Sequence, residues 1–144
     1  MKRLIEIETG KIVSEDTFKK AHKNVLFGGG ISEEVAQSFG YSIVLNDPKP
    51  NYEELSHDIK TSVVEEREGR WYQTWRVIQR PDADSRVRDK RNQLLAESDW
   101  IVVMHTEKGT NIPAEWEVYR QELRDITDQS DFPYDVTWPT KPST

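Results

Sequence analysis

Cysteine and long apolar runs are both absent from this 144-residue chain. Without cysteine, disulfides and thiolate metal sites are excluded. No stretch approaches the roughly 20 apolar residues that a membrane-spanning helix needs, so we expect no membrane partner. The first residues carry a charge at Glu6 and lack the apolar core of a signal peptide. These absences predict a soluble protein made in a cytoplasm.

Basic residues are outnumbered, with 20 basic against 26 acidic residues and a net charge of −6. The excess of acid lies in residues 91–144, which hold five basic and ten acidic residues. A nucleic-acid-binding surface needs clustered Lys and Arg to displace counterions, and no such run is present. We therefore expect no nucleic-acid partner.

The sequence offers no recognisable catalytic, cofactor or metal site. The histidines His22, His57 and His105 are far apart, and none has a second ligand at a metal-binding spacing. The triple glycine at 28–30 lacks the Lys-Ser/Thr pair of a phosphate-binding loop. No serine carries a recognisable activating motif. We predict that the protein is not an enzyme and holds neither metal nor cofactor.

The first 80 residues predict a small lobe of hairpins and short helices. Five Trp, five Tyr and four Phe argue against a disordered chain. Alternating apolar residues predict one hairpin over 4–13 and a stronger one over 60–80. Between them, Ser14 and Ser32 are placed to cap two short helices. The first predicted domain is therefore an α+β lobe over residues 1–80.

Residues 81–144 predict a second domain, a helical hairpin followed by an extended aromatic tail. One helix opens after Pro81 and runs to about residue 97, and residues 101–104 are typical of a short strand or extended segment. A second helix starts at Pro113 and bears apolar residues at steps of three, four and three, namely Trp116, Tyr119, Leu123 and Ile126. This stripe is expected to form a core with Leu94, Leu95 and Trp100, and a partner-docking face is the alternative. The fold class is thus α+β.

The last segment is extended because two prolines in residues 132–139 exclude a helix. Two interpretations stay open for its apolar side chains. The segment either folds back across the helices, or it provides an aromatic anchor or an added strand for another protein. The candidate partner-binding residues are Phe132, Tyr134, Val136 and Trp138.

Three sequence blocks in the last third resemble the phage tail assembly chaperone family. They are residues 91–100 (RNQLLAESDW), 116–126 (WEVYRQELRDI) and 129–139 (QSDFPYDVTWP). The front half resembles, more loosely, the N-terminal parts of related phage tail and tail-fibre proteins. The polar residues of the blocks are expected to form contacts within the unit. Three arginines would pair with Asp99, Asp125 or Asp131, or with backbone carbonyls around the Phe-Pro turn, and they are Arg91, Arg120 and Arg124.

The resemblance implies a tail-associated assembly or adapter protein that binds another tail, tail-fibre or baseplate protein. It would act in the host cytoplasm during assembly. The alternative is a permanent structural component of the tail fibre or baseplate, located in the virion tail, with a homo-oligomeric form left open. A small enzyme of unknown reaction is the remote alternative.

Overall fold

The structure, a computed structural model, describes residues 1–143 as a five-stranded sheet with five α-helices and one 3₁₀ turn. In chain order the elements are β1 (Arg3–Glu6), β2 (Ile12–Ser14), α1 (Glu15–Ala21), α2 (Glu33–Ser38), β3 (Tyr41–Asn46), β4 (His57–Arg67), β5 (Arg70–Gln79), α3 (Ala83–Glu97), α4 (Asp99–Lys108), α5 (Ala114–Arg124) and the 3₁₀ turn (Asp125–Asp128). The predicted α+β class is confirmed. None of the helices in residues 1–143 combines the length and the apolar composition that a membrane span requires.

The sheet is mixed, with the strand order β2-β1-β3-β5-β4. Strand β1 runs antiparallel to both neighbours, so that Leu4 lies opposite Val13 on one side and Ile43 on the other. Strand β3 pairs in parallel with β5, with Val44 opposite Trp71. Both predicted hairpins are present. The β3–β5 pairing could not be predicted from the sequence, because the alternation of apolar residues within a strand does not reveal which distant strand pairs with it.

Local capping and turn signals act as the sequence predicts. The Ser14 hydroxyl accepts a hydrogen bond from the Thr17 amide at 3.1 Å, and Ser32 accepts from the Val35 amide at 3.2 Å. Each bond satisfies an amide that has no partner within its helix. Strands β4 and β5 are joined by a two-residue turn in which Glu68 has φ 53° and Gly69 has φ 76°. Two positive φ values are typical of a tight hairpin turn.

The chain divides into two compact units that interleave in sequence. The first comprises Met1–Asn51 and Ile59–Arg76, and the second comprises Tyr52–Asp58 and Val77–Thr144. The segment Tyr52–Asp58, which includes the first two residues of β4, is thus grouped with the second unit. The division of the chain at residue 80 stays a prediction.

The first unit has its core where α1 and α2 cover β1 and β3. Phe18 is buried at its centre, and its ring lies 5.0 Å from Tyr41 and 5.7 Å from Phe39, both edge-on. Such edge-to-face contacts add to the hydrophobic burial. Glu33 on α2 accepts hydrogen bonds from the Ser42 hydroxyl at 2.5 Å and the Ile43 amide at 2.9 Å, and so ties the helix to the sheet.

The expectation of a strand at residues 101–104 is wrong, because these residues lie inside α4. The β-branched run Ile-Val-Val favours a strand locally. Burial on a helix prevails here, since Ile101 is only 3% exposed and packs in the core of the second unit. Gly109 ends the helix with φ 62°, a left-handed conformation that glycine adopts without strain.

Candidate functional site

The apolar stripe of α5 forms the core of the second unit. Trp116, Tyr119 and Leu123 are buried in one cluster with Ile101. The rings of Trp116 and Tyr119 meet edge-on at 5.8 Å. Half-buried side chains pack around the cluster, and they are Leu94, Leu95, Ile112 and Trp138. Ile126, the last residue of the stripe, is fully buried in the 3₁₀ turn. The packing of α5 against α3 and α4 therefore depends mainly on the side chains that recur at the helical period of 3.6 residues.

Trp100 departs from the expected core position. It is 48% exposed, although its ring meets Trp116 edge-on at 6.5 Å. The reason is its place on α4, where Ile101 takes the inward position. Neighbouring positions on a helix point about 100° apart, so both side chains cannot face the core. Trp100 covers the rim of the cluster and leaves part of its indole on the surface.

Arg120 holds the corner between α3 and α4. Its guanidinium donates to the Leu95 carbonyl at 2.9 Å, to the Ser98 hydroxyl at 2.5 Å and to the Asp99 carboxylate at 2.8 Å. The Arg120 side chain is 11% exposed and Ser98 is fully buried, whereas the Asp99 side chain is 62% exposed. A planar guanidinium suits this role because it can reach several acceptors from one fixed position. These contacts lock the two helices into one bend.

The other polar residues of the three blocks make fewer contacts. The Arg91 guanidinium donates to Asn92 at 2.8 Å and weakly, at 3.5 Å, to the Arg124 carbonyl. Asp125 accepts from Gln121 at 2.8 Å. Of the acid–base pairs expected among these residues, the structure brings together Arg120 and Asp99.

The C-terminal tail is folded back on the second unit. The side-chain amide of Gln129 bonds both backbone groups of Thr137, and we call this pair the Gln129–Thr137 clamp. Its nitrogen donates to the Thr137 carbonyl at 2.8 Å, and its oxygen accepts from the Thr137 amide at 2.8 Å. The Phe132–Pro133 peptide bond between them is cis. The tail is therefore a closed loop with its own hydrogen bonds, followed by a segment without regular structure.

Each apolar side chain of the tail is half-buried. The Phe132 ring lies 5.3 Å from the Arg88 guanidinium, a cation–π contact. The Tyr134 ring lies 6.0 Å from the ring of His57, and its carbonyl accepts from the Ser56 hydroxyl at 3.1 Å. Trp138 packs against the α5 core cluster. Of the two interpretations of the tail, the fold-back matches this arrangement, in which each of these side chains stays partly exposed.

Two kinds of ionisable group respond to these surroundings. Burial, with a smaller contribution from the negative charge of Glu97, raises the pKa of Tyr119 above its ordinary value. On the exposed face of α3, the hydrogen bond from Arg88 lowers the pKa of Asp84. Tyr119 therefore stays neutral and Asp84 charged at physiological pH.

Two kinds of reactive site are relevant to catalysis, a metal-binding cluster and a serine nucleophile beside a histidine. Among residues 1–143, no group of three or more His, Cys, Asp or Glu side chains is arranged to hold a metal ion. Ser56 Oγ lies 2.9 Å from Nδ1 of the adjacent His57. However, Ser56 is 1% exposed and its hydroxyl also bonds the Tyr134 carbonyl, so it is unsuited to attack a substrate.

The contacts of several residues in the second unit could not be predicted from the sequence. Ser98 and Gln129 are polar residues whose partners lie across a turn, and nothing in their spacing indicates those partners. The charged pattern of α3 places Arg88 on a solvated face, but it also covers Phe132. Extending a 3.6-residue period through residues 94–105 would identify Ile101, although its β-branched neighbours favour a strand.

Residues 84–143 match the family model described as phage tail assembly chaperone protein. The matched segment covers fewer than half of the 144 residues and spans nearly all of α3 through the folded-back tail. No curated protein and no solved structure matches the chain. The predicted resemblance of the C-terminal region is thus confirmed, and the match supports a role in phage tail assembly.

Proposed function

We propose that this protein takes part in phage tail assembly by binding another tail, tail-fibre or baseplate protein in the host cytoplasm. The observation that carries the proposal is the family match over residues 84–143, because those residues form most of one compact unit with its own core. The family match also favours a non-enzymatic role.

The proposed contact surface is the folded-back tail, through four partly exposed side chains: Phe132, Tyr134, Val136 and Trp138. Tyr and Trp are frequent centres of protein interfaces, since they bury much apolar area for little lost side-chain freedom. The Gln129–Thr137 clamp holds the loop in one conformation before any partner arrives. Such preorganisation lowers the entropic cost of binding.

Affinity purification of the tagged protein from infected cells tests this surface. Mass spectrometry should identify a phage tail, tail-fibre or baseplate protein in the eluate. The double variant Tyr134→Ala/Val136→Ala should lose that protein while keeping its circular dichroism spectrum. Val63→Ala is the matched control, because Val63 is 61% exposed in the first unit, outside the tail. Equal recovery of the tail protein with the double variant would remove the tail from the proposal.

Mass spectrometry of purified virions separates the assembly protein from a permanent virion component. The proposal predicts that the protein is present in infected cells and absent from complete particles. A fixed copy number in the particle would instead establish the structural component of the tail fibre or baseplate, and the number itself would report the symmetry of its position.

A further inference from the structure

An open groove of about 520 Å³ lies between α4 and α5 in the second unit. Its apolar lining comes from Val102, Ile112 and Val118, and Val118 is 56% exposed. Glu117, Gln121 and Arg124 line it along α5, together with the Arg120 that holds the α3–α4 corner. Apolar side chains beside a row of polar ones are a common composition for a protein interface.

Two opposite charges in this lining lack partners. Within the part of the chain that the structure describes, the side chains of Glu117 and Arg124 form no hydrogen bond or ion pair. They are seven residues apart on α5, which places them on one face, two turns apart. By contrast, the Arg120 guanidinium between them donates three hydrogen bonds.

We propose that this groove is a homodimer interface in which α5 packs antiparallel against α5 of a second copy. A two-fold axis crossing α5 near Gln121 places Glu117 of one protomer opposite Arg124 of the partner subunit, and the same pair forms again on the other side of the axis. The two Glu117 side chains then stay about 10 Å apart along the helices, as do the two Arg124 side chains, given a rise of 1.5 Å per residue. Arg120, beside the axis, donates to Asp99 of its own chain. The face is therefore complementary to itself.

The same packing covers the apolar lining of the groove. An antiparallel pair of helical hairpins forms a four-helix arrangement, in which side chains such as Val118 and Val102 become part of a shared core. The opposite charges fix the register, since sliding α5 by one turn would separate both pairs. The dimer does not depend on the proposed role in tail assembly.

Sedimentation equilibrium of the purified full chain tests the interface. The wild type should show a reversible dimer of about twice the 16.8 kDa chain mass. Glu117→Arg sets two arginines opposite each other across the interface, and Arg124→Glu sets two glutamates opposite each other. Each variant should weaken the dimer about tenfold or more, since two like-charge pairs replace two ion pairs. Glu122→Arg is the control on α5, because it makes the same change of charge outside the groove lining and should leave the dimer intact.

The decisive experiment mixes Glu117→Arg with Arg124→Glu, the two variants that should dimerise weakly on their own. The two arginines that the first variant carries at positions 117 and 124 would face the two glutamates that the second variant carries there. The mixture should therefore form a heterodimer although each variant alone is largely monomeric. Recovery on mixing also shows that neither variant has lost its fold. A monomeric wild type, unchanged dimers in both single variants, or a mixture without heterodimer would each overturn the proposal.

Discussion

Replacing Arg120 should destabilise the second unit more than replacing any other arginine on its surface. The Arg120 guanidinium is the sole common partner of the Leu95 carbonyl, Ser98 hydroxyl and Asp99 carboxylate among the described residues. Arg120→Ala removes these bonds together with the packing of the aliphatic stem against the helices. The corner between α3 and α4 would then be held mainly by apolar contacts.

The three bonds do not contribute equally. The hydrogen-bonded ion pair with Asp99 is exposed, so it contributes at most about 1 kcal/mol to the free energy of unfolding. The arms to Leu95 and Ser98 are buried and come from a charged donor, a class of bond worth roughly 1.5–3 kcal/mol each. Ser98 still donates to the Leu95 carbonyl at 2.8 Å after the change, which keeps that carbonyl satisfied. We therefore expect Arg120→Ala to cost about 2–4 kcal/mol of unfolding free energy, and Asp99→Ala less than about 1 kcal/mol.

Hydrogen exchange measured by mass spectrometry is the suitable assay, because peptides from α4 and α5 report the second unit separately from the first. A loss of about 3 kcal/mol corresponds to exchange about 100-fold faster in the slowest amides. Arg124→Ala is the matched control: the same residue type on the same helix, exposed and without a side-chain bond among the described residues, expected within about 0.5 kcal/mol of the wild type in dilute solution. Equal exchange in Arg120→Ala and Arg124→Ala would refute the reasoning.

Three further changes probe the core, the surface of α3 and the tail. Leu123→Ala, at a fully buried position, should cost about 2–5 kcal/mol in urea unfolding followed by tryptophan fluorescence, and a cost under about 1 kcal/mol would contradict the assigned core. The Arg88 bond lowers the pKa of Asp84 below its unfolded value of about 4, so the pair stabilises α3 above that pH and the stabilisation is lost as pH falls through the lowered pKa. Asp84→Asn should therefore reduce the acid-induced loss of helicity seen by circular dichroism, and an unchanged acid profile would count against the pair. Gln129→Ala removes both bonds to Thr137 and should speed exchange of the Thr137 amide about tenfold, whereas unchanged protection would show that the clamp does not hold the tail.

The elements that sequence predicts well are those fixed by short-range physics. Ser14 and Ser32 cap helices because a hydroxyl next to free amides is favourable in almost any context. The stripe from Trp116 to Ile126 is buried because a helix with one apolar face must cover it. These signals need only the few residues around them.

The features that sequence could not predict depend on distant partners. Residues 101–104 have strand propensity, and they are helical because Ile101 packs against α5. The bend held by Arg120 needs a buried Ser98 from outside its own helix, which no spacing rule identifies. The tail allows two interpretations from sequence because its proline pattern excludes a helix but does not say which surface an extended chain contacts.

Electron microscopy of particles made without this protein tests the role in tail assembly most directly. A nonsense mutation early in its coding sequence should leave the infected cell with heads but few or no complete tails, and the wild-type protein supplied from a plasmid should restore them. Supplying the Arg120→Ala variant should restore fewer tails than supplying Arg124→Ala, if the folded second unit carries the activity. A normal yield of tailed, infectious particles from the nonsense mutant would contradict the account.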